Sequence, residues 1–244
     1  MDNFRASYFA GALMLNRNQV KEELKKIFQS ETWNGDAILE LLKHHEVTPE
    51  TFLHRLSQIL PGLFKITELH YFRFEHFVGK NKIRLTKELN MPRTLVPSGV
   101  RLKEHHCRRW LPVSLLKILE EEQLKGNPNK ILIRTQRAQF VESGDEVLFI
   151  SIAHALRLRS KMNRCVSLGL RIDNALKRKV KFLNDPQIPV EKVNQTCERC
   201  PLDNSQCSER TAPPSVFIQE EKEELMNRTL KKLVTDYRAK NLKI

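Results

Sequence analysis

The sequence predicts an α+β protein in which an N-terminal helical segment is followed by an antiparallel sheet flanked by helices. Apolar residues recur at helical spacing through residues 1–65. From Leu69 onward the pattern changes to alternating and aromatic runs, which are typical of strands. A cysteine-rich stretch near the C-terminal end further predicts a metal centre that staples the sheet region together.

The composition narrows the class of protein. The chain has 244 residues, 40% hydrophobic and 29% charged, as in an ordinary globular protein with its own core. It has no apolar run of about 18 residues and no signal peptide, so we expect a cytoplasmic protein with no membrane partner. The formal net charge of +13 favours polyanionic partners, either nucleic acid or a phosphate-bearing ligand.

The N-terminal segment predicts four helices, at residues 4–15, 18–29, 37–45 and 49–60. Thr48 suits the N-cap of the fourth helix and Pro49 its first turn. The helix pair at residues 36–60 resembles a helix-turn-helix, in which Arg55 and Gln58 would face outward and contact DNA. A plain helical hairpin is the alternative interpretation.

The rest of the chain predicts strands at residues 69–77, 131–141, 147–158 and 165–172, and helices at residues 112–124, 174–183 and 217–238. Residues 92–99 contain prolines and a glycine and are expected to form a loop. The run 147–153 is apolar on both faces, so its strand should be central. Four arginines of this region either line a pocket for phosphates or lie on a solvated sheet face: Arg134, Arg137, Arg157 and Arg159.

Three of the five cysteines form a Cys-x2-Cys-x6-Cys pattern at Cys197, Cys200 and Cys207. The spacers contain residues that favour turns, so the pattern is typical of a metal or cluster site. Such a site needs a fourth ligand, and we predict Cys107, which lies in the segment 104–110 with two histidines. The alternative is three reduced thiols in a surface loop.

Cysteine chemistry leaves the metal open. A site of four cysteines binds either tetrahedral Zn²⁺ or a [4Fe–4S] cluster. We expect Arg199 and Arg210 to favour the thiolate form of the ligands. The fifth cysteine, Cys165, lies in an apolar strand and is expected to be a buried structural thiol.

The chain has no recognisable catalytic signature. It contains no His-Glu-x-x-His, no Gly-x-Ser-x-Gly elbow and no Walker-type phosphate loop. The histidine pairs at 44–45 and 105–106 lack the i, i+4 spacing that places two imidazoles on one helix face. The absence favours a binding or sensing protein over an enzyme.

The stretch FRASYFAGALML at residues 4–15 resembles a segment of ImmA/IrrE-type domains that follows a zinc-binding His-Glu-x-x-His helix. In this chain the zinc-binding helix is absent. Arg5 stands where the family has glutamate, and Asn16 where it has proline. The resemblance implies that residues 1–65 are a helical remnant of such a domain. A zinc metallopeptidase fragment that lacks its catalytic helix is an alternative function.

Three further motifs are similar to the C-terminal domain of short-chain fatty acyl-CoA regulators. They are HCRRW at 106–110, CERC at 197–200 and CSERTAPP at 207–214. That family comprises bacterial transcription factors of the XRE type. The resemblance implies an acyl-CoA ligand, in some members a [4Fe–4S] cluster, and DNA binding through a domain outside this chain. The spacing between the second and third cysteines is longer than in many members of that family, which either reshapes the loop or favours zinc.

These expectations divide the chain into three parts. Residues 1–65 form the helical remnant, 66–215 a sensor domain with the sheet and the cysteine cluster, and 216–244 a C-terminal helix. The last helix either packs back on the body or mediates a homodimer. The predicted function is the regulatory portion of a bacterial transcription regulator, and direct DNA binding through the 36–60 helix pair is an alternative.

Overall fold

The computed structural model describes residues 2–80, 82–91, 104–156 and 161–241 and shows an α+β fold around one six-stranded sheet. The strands are β1 (Leu69–Phe77), β2 (Ile83–Asn90), β3 (Leu132–Phe140), β4 (Glu146–Ala155), β5 (Met162–Arg171) and β6 (Val190–Val193). The helices are α1 (Asp2–Met14), α2 (Arg17–Gln29), α3 (Gly35–His44), α4 (Pro49–Phe64), α5 (Leu111–Leu124), α6 (Asn174–Lys179) and α7 (Ser215–Asn241), with a 3₁₀ turn at Lys181–Asn184.

The strand order is β2-β1-β5-β4-β3-β6. The run that is apolar on both faces forms β4, which lies between β5 and β3, so the prediction of a central strand is confirmed. The sheet is mixed and not antiparallel as expected, because β6 pairs in parallel with β3. After β5 the chain crosses through α6 and the 3₁₀ turn, and a crossover of this kind lets the next strand run in the same direction as its neighbour.

The two faces of the sheet carry different helices. Helices α2–α4 cover one face, where their apolar stripes pack against the side chains of alternate strand positions such as Tyr71, Ile150 and Leu168. Helix α5 covers the other face, where Leu115 and Leu116 pack near Phe149. The core between the sheet and α2–α4 is continuous across residue 65, so the N-terminal helices and the sheet bury a common apolar surface.

The structure departs from the sequence-based boundaries in a few places. Helix α4 continues through Pro61 and ends at Phe64, and the C-cap residue Lys65 has a left-handed φ of 55°. Strands β2 and β6 were not predicted, and β5 begins three residues earlier than expected. The loop predicted at 92–99 lies outside the described residues. Within the described residues, no helix is both long and apolar enough to cross a membrane.

Arg55 does not face outward as the helix-turn-helix interpretation required. Its side chain is buried between α4 and α1, where the guanidinium lies 5.1 Å from the ring centre of Tyr8 and donates to Gln58 Oε1 at 3.1 Å. Helix α4 is buried on the sheet side as well. The expectation was wrong because a contact with α1, distant from α4 in the sequence, covers the face that a helical hairpin alone would expose.

Candidate metal centre

A short antiparallel pairing joins the middle of the chain to the cysteine-rich stretch. His106 and Thr196 form a β-bridge. The Cys107 amide donates to the Gln195 carbonyl at 3.1 Å, and the Cys197 amide donates to the His105 carbonyl at 3.0 Å. The structure therefore places Cys107 and Cys197 diagonally across one short pairing, although 90 positions separate them in the numbering.

Charged side chains flank this pairing on both segments. Arg199 donates from Nε and Nη2 to the two carboxylate oxygens of Glu104, at 3.0 and 3.1 Å. Glu198 accepts from the His105 amide at 2.9 Å, and its other oxygen lies 2.7 Å from His105 Nδ1. Bidentate arginine–carboxylate bonds favour one relative geometry. Arg199 thus aligns the two segments, and its expected effect on the thiols stays a prediction.

The loop between Cys197 and Cys207 is held from inside by Arg210. Its guanidinium donates to the main-chain carbonyl oxygens of Cys197, Cys200 and Leu202, and its Nε donates to the Ala212 carbonyl at 3.1 Å. An arginine offers five N–H donors in a planar fork, which suits several carbonyls at once. Arg210 therefore sets the course of the loop through its backbone.

A turn at Asp203 positions the last of the three cysteines, Cys207. Asp203 Oδ1 accepts from the amides of Ser205 and Gln206, at 2.8 and 3.0 Å, as expected of an aspartate turn. The Cys207 amide then donates to the Asp203 carbonyl at 3.0 Å. This local geometry follows from the turn-forming residues between the second and third cysteines.

All four predicted ligands are buried free thiols, between 5% and 7% exposed. Burial, with smaller contributions from the neighbouring Cys197 and Cys200, raises the pKa of Cys107 to about 11. Burial also raises the pKa of Cys207, while Arg109 lowers it. Without a cation the thiols of Cys107 and Cys207 stay protonated at neutral pH, whereas a bound metal ion deprotonates a coordinating thiol.

Cationic side chains surround the thiols. Burial lowers the pKa of Arg108 and of Lys117, and the nearby Cys197 thiolate opposes both shifts. Arg109 donates to Glu209 Oε2 at 2.8 Å and to the Gln206 carbonyl at 2.9 Å, beside Cys207. The positive charges of these side chains would offset the negative charges of four thiolates.

The sulfur atoms are not gathered as tightly as one zinc ion requires. A tetrahedral zinc holds thiolates at about 2.3 Å, which places the sulfurs roughly 3.8 Å apart. Among the described residues, the possible ligand atoms of Glu23, His44 and His45 all lie within 4.8 Å of one another. No three cysteine sulfurs of the described residues lie that close together.

The site rests on the sheet through Trp110 and Gln136. The Trp110 ring packs edge-on against Phe72, Phe74 and Phe149, with ring centres between 5.3 and 5.6 Å apart. Trp110 gives helix α5 no side-chain cap. Gln136 on β3 supplies the missing cap, because its Oε1 accepts from the Leu111 amide at 3.0 Å. Its Nε2 donates to the Arg109 carbonyl at 2.9 Å.

Cys165 stands apart from the four candidate ligands. It is fully buried within β5, as expected, and burial raises the pKa of its thiol. Its Sγ lies 3.8 Å from the Val166 carbonyl. Cys165 is thus an internal control for any measurement on the other cysteines.

A second polar group lies on the opposite face of the sheet, beneath α4. Glu50 accepts from Arg73 at 2.8 Å and from Arg164 at 2.7 Å. The Tyr71 hydroxyl is fully buried near these charges and has no hydrogen-bond partner among the described residues, and burial raises its pKa. His154 Nε2, near the same Glu50 and Arg164, is likewise buried without a partner in the part of the chain that the structure describes. Such atoms cost free energy unless a water or ligand satisfies them.

The predicted arginine pocket is not assembled among the described residues. Arg137 pairs with Glu146 at 2.7 Å, and Arg134 is exposed on the same strand. Arg157 and Arg159 lie outside the described residues.

Comparison with protein-family models, with curated proteins and with solved structures found no match to this chain. The resemblances to ImmA/IrrE-type domains and to acyl-CoA regulators therefore remain predictions. Sequence reasoning missed the positioning roles of Gln136 and Arg210. Arg210 lies within the CSERTAPP motif, but Gln136 belongs to a strand whose pattern carries no signal for a contact with α5.

Proposed function

We propose that the chain is the sensor and regulatory portion of a bacterial transcription regulator, in which Cys107, Cys197, Cys200 and Cys207 hold an iron–sulfur centre. The observation that carries the proposal is the backbone pairing of residues 105–107 with 195–197, which brings a buried cysteine of each segment into one short antiparallel pairing. DNA binding belongs to a domain outside this chain.

The donor set is chemically suited to a cluster. Four buried free thiols suit either a [4Fe–4S] centre or zinc. When bound, such a cluster supplies a redox- and oxygen-responsive group. Arg210 orders the ligand loop, and Arg108, Arg109 and Lys117 offset its negative charge.

The metal content tests this part of the proposal. We expect about four iron and four sulfide per chain, with broad absorption, in protein purified without oxygen. Cys107→Ser should lose most of the iron, whereas Cys165→Ser, at an equally buried thiol, should retain it.

Two outcomes would contradict the cluster. One zinc per chain without colour would replace it by a structural zinc site. Neither iron nor zinc in the folded, anaerobically purified protein would remove the centre altogether.

For the small-molecule ligand we propose an acyl-CoA whose polar group bonds to the Tyr71 hydroxyl and His154 beneath α4. Support comes from the two partnerless buried polar atoms beside the Glu50–Arg164 pair. The net charge of +13 favours a ligand that carries phosphates.

Acetyl-CoA and propionyl-CoA are the probes for this ligand. Binding should raise the thermal midpoint of the wild type, and Tyr71→Phe should lose most of that rise. Without ligand, Tyr71→Phe should be at least as stable as the wild type, because the change removes an unsatisfied hydroxyl. Tyr8→Phe, at a half-exposed tyrosine, is the matched control. No shift with either thioester, by titration calorimetry as well, would exclude the acyl-CoA.

A further inference from the structure

Helix α7 leaves the body of the protein and carries an apolar row with no partner. Every described side chain from residue 218 to residue 237 is exposed, and the hydrogen bonds of these side chains stay within the helix. At 27 residues, α7 extends about 40 Å. A helix of this length with no tertiary packing is marginal in water, so its apolar row implies a partner.

The apolar row has the spacing of a coiled-coil seam. Met226, Leu230, Leu233 and Tyr237 follow one another at intervals of four, three and four residues, and they are between 54% and 70% exposed. This is the alternation of a and d positions in a heptad repeat. At 100° per residue the four side chains fall within a stripe of about 60°, narrow enough for a two-stranded contact.

The charges of α7 are divided between its two ends. Residues 220–224 contain four glutamates and one lysine. The second half contains Lys231, Lys232, Arg238 and Lys240 against the single acidic Asp236. A parallel partner of the same sequence would set like charges beside each other. An antiparallel partner sets the acidic end of each helix beside the basic end of the other.

We propose that α7 is a homodimerisation helix, which pairs with α7 of a second copy of this chain as an antiparallel two-stranded coiled coil. The arrangement is isologous, since the same seam serves both copies about a two-fold axis. That axis passes near residues 231 and 232, the midpoint of the seam. Met226 of each copy then lies opposite Tyr237 of the other, and Leu230 opposite Leu233.

Sedimentation equilibrium of the full chain over a range of concentrations tests the proposal. We expect the mass to approach twice that of the monomer. Leu230→Glu combined with Leu233→Glu should weaken the association at least tenfold. Leucine and glutamate have similar helix propensities, so α7 should remain helical, which circular dichroism verifies.

Leu225→Glu is the matched control, because Leu225 is 66% exposed but lies about 100° from Met226 around the helix. This variant should dimerise like the wild type. A monomer at all concentrations, or equal loss of the dimer in the control, would overturn the proposal. So would a dimer that survives the seam substitutions and is lost on changing Phe9 and Leu13 of α1, which are also exposed.

Salt distinguishes the two orientations. Screening weakens the attraction between opposite charges, so added salt should weaken an antiparallel dimer. In a parallel dimer like charges face each other, and salt would strengthen it. A dimer that tightens with salt would therefore overturn the antiparallel arrangement. None of these outcomes depends on the metal or acyl-CoA content of the protein.

Discussion

At the scale of single residues, Gln136 connects the sheet to the candidate metal centre. It is 4% exposed, and both ends of its amide bond to the main chain around Trp110, three residues after Cys107. A buried amide in this position supplies the cap that α5 lacks. The position of Cys107 therefore depends on a side chain from β3 that touches no sulfur.

We predict that Gln136→Met destabilises the protein by about 1–3 kcal/mol, because a buried amide N–H and a carbonyl lose their partners. Urea unfolding measures the loss. The anaerobic iron content should fall as well, since the segment with Cys107 is no longer held. Gln139→Met, at an exposed glutamine on the same strand, should change neither quantity. Unchanged stability in the Gln136 variant would show that the bonds at α5 contribute little.

At the scale of elements, the close packing of β4 and β5 depends on a glycine. Gly169 pairs with Phe149 across the two strands, and a Cβ at Gly169 would lie 2.6 Å from Phe149 Cε1. The same Cβ would lie 3.1 Å from Val147 Cγ1. The Phe149 ring in turn supports Trp110, so crowding at Gly169 reaches the candidate metal centre.

Gly169→Ala should therefore cost about 1–3 kcal/mol of stability, as overpacking of a filled core does. Gly11→Ala in α1 is the control, since the nearest atom to its added Cβ is 3.9 Å away and alanine favours a helix. That control should be neutral or slightly stabilising. The thermal midpoints of the two variants compare the two sites directly, and equal midpoints would contradict the crowding.

At the scale of the whole molecule, the body contains several histidines that burial keeps neutral. Burial lowers the pKa of His70, His154 and the half-buried His54. In the unfolded chain these groups titrate near 6.5. Below that pH the unfolded chain binds more protons than the folded protein, so the free energy of unfolding falls as the pH drops. The net charge of +13 adds repulsion in the same direction.

We predict that stability is greatest above pH 6.5 and declines from there toward the lower pKa values of the folded state. Urea unfolding between pH 8 and pH 5 measures the slope. Combining His70→Gln with His154→Gln should make the slope shallower. Both proteins keep the same cysteines, so the loss of a metal centre in acid affects them alike. Equal slopes would show that these histidines do not control the acid response.

The sequence predicted most elements but not how they meet. Helical spacing located α1–α5 and α7 to within a few residues. The run 147–153, which is apolar on both faces, located the central strand β4. Strand β6 has four residues, too few for a periodic signal, and its parallel pairing is a long-range contact. The prediction that Arg55 faces outward was wrong for a similar reason, because a long-range contact with α1 covers this side chain.

By itself, the sequence determined the α+β class, the metal-type cysteine spacing and the basic charge, because periodicity, turn residues and ionisable groups act locally along the chain. The tertiary structure alone decided that β6 joins the sheet in parallel, that Gln136 caps α5, and that residues 105–107 pair with 195–197. These contacts depend on the closure of long loops and on the burial of common surfaces. The free energy of these contacts depends on two segments that are distant in the sequence, so a local sequence pattern does not predict them.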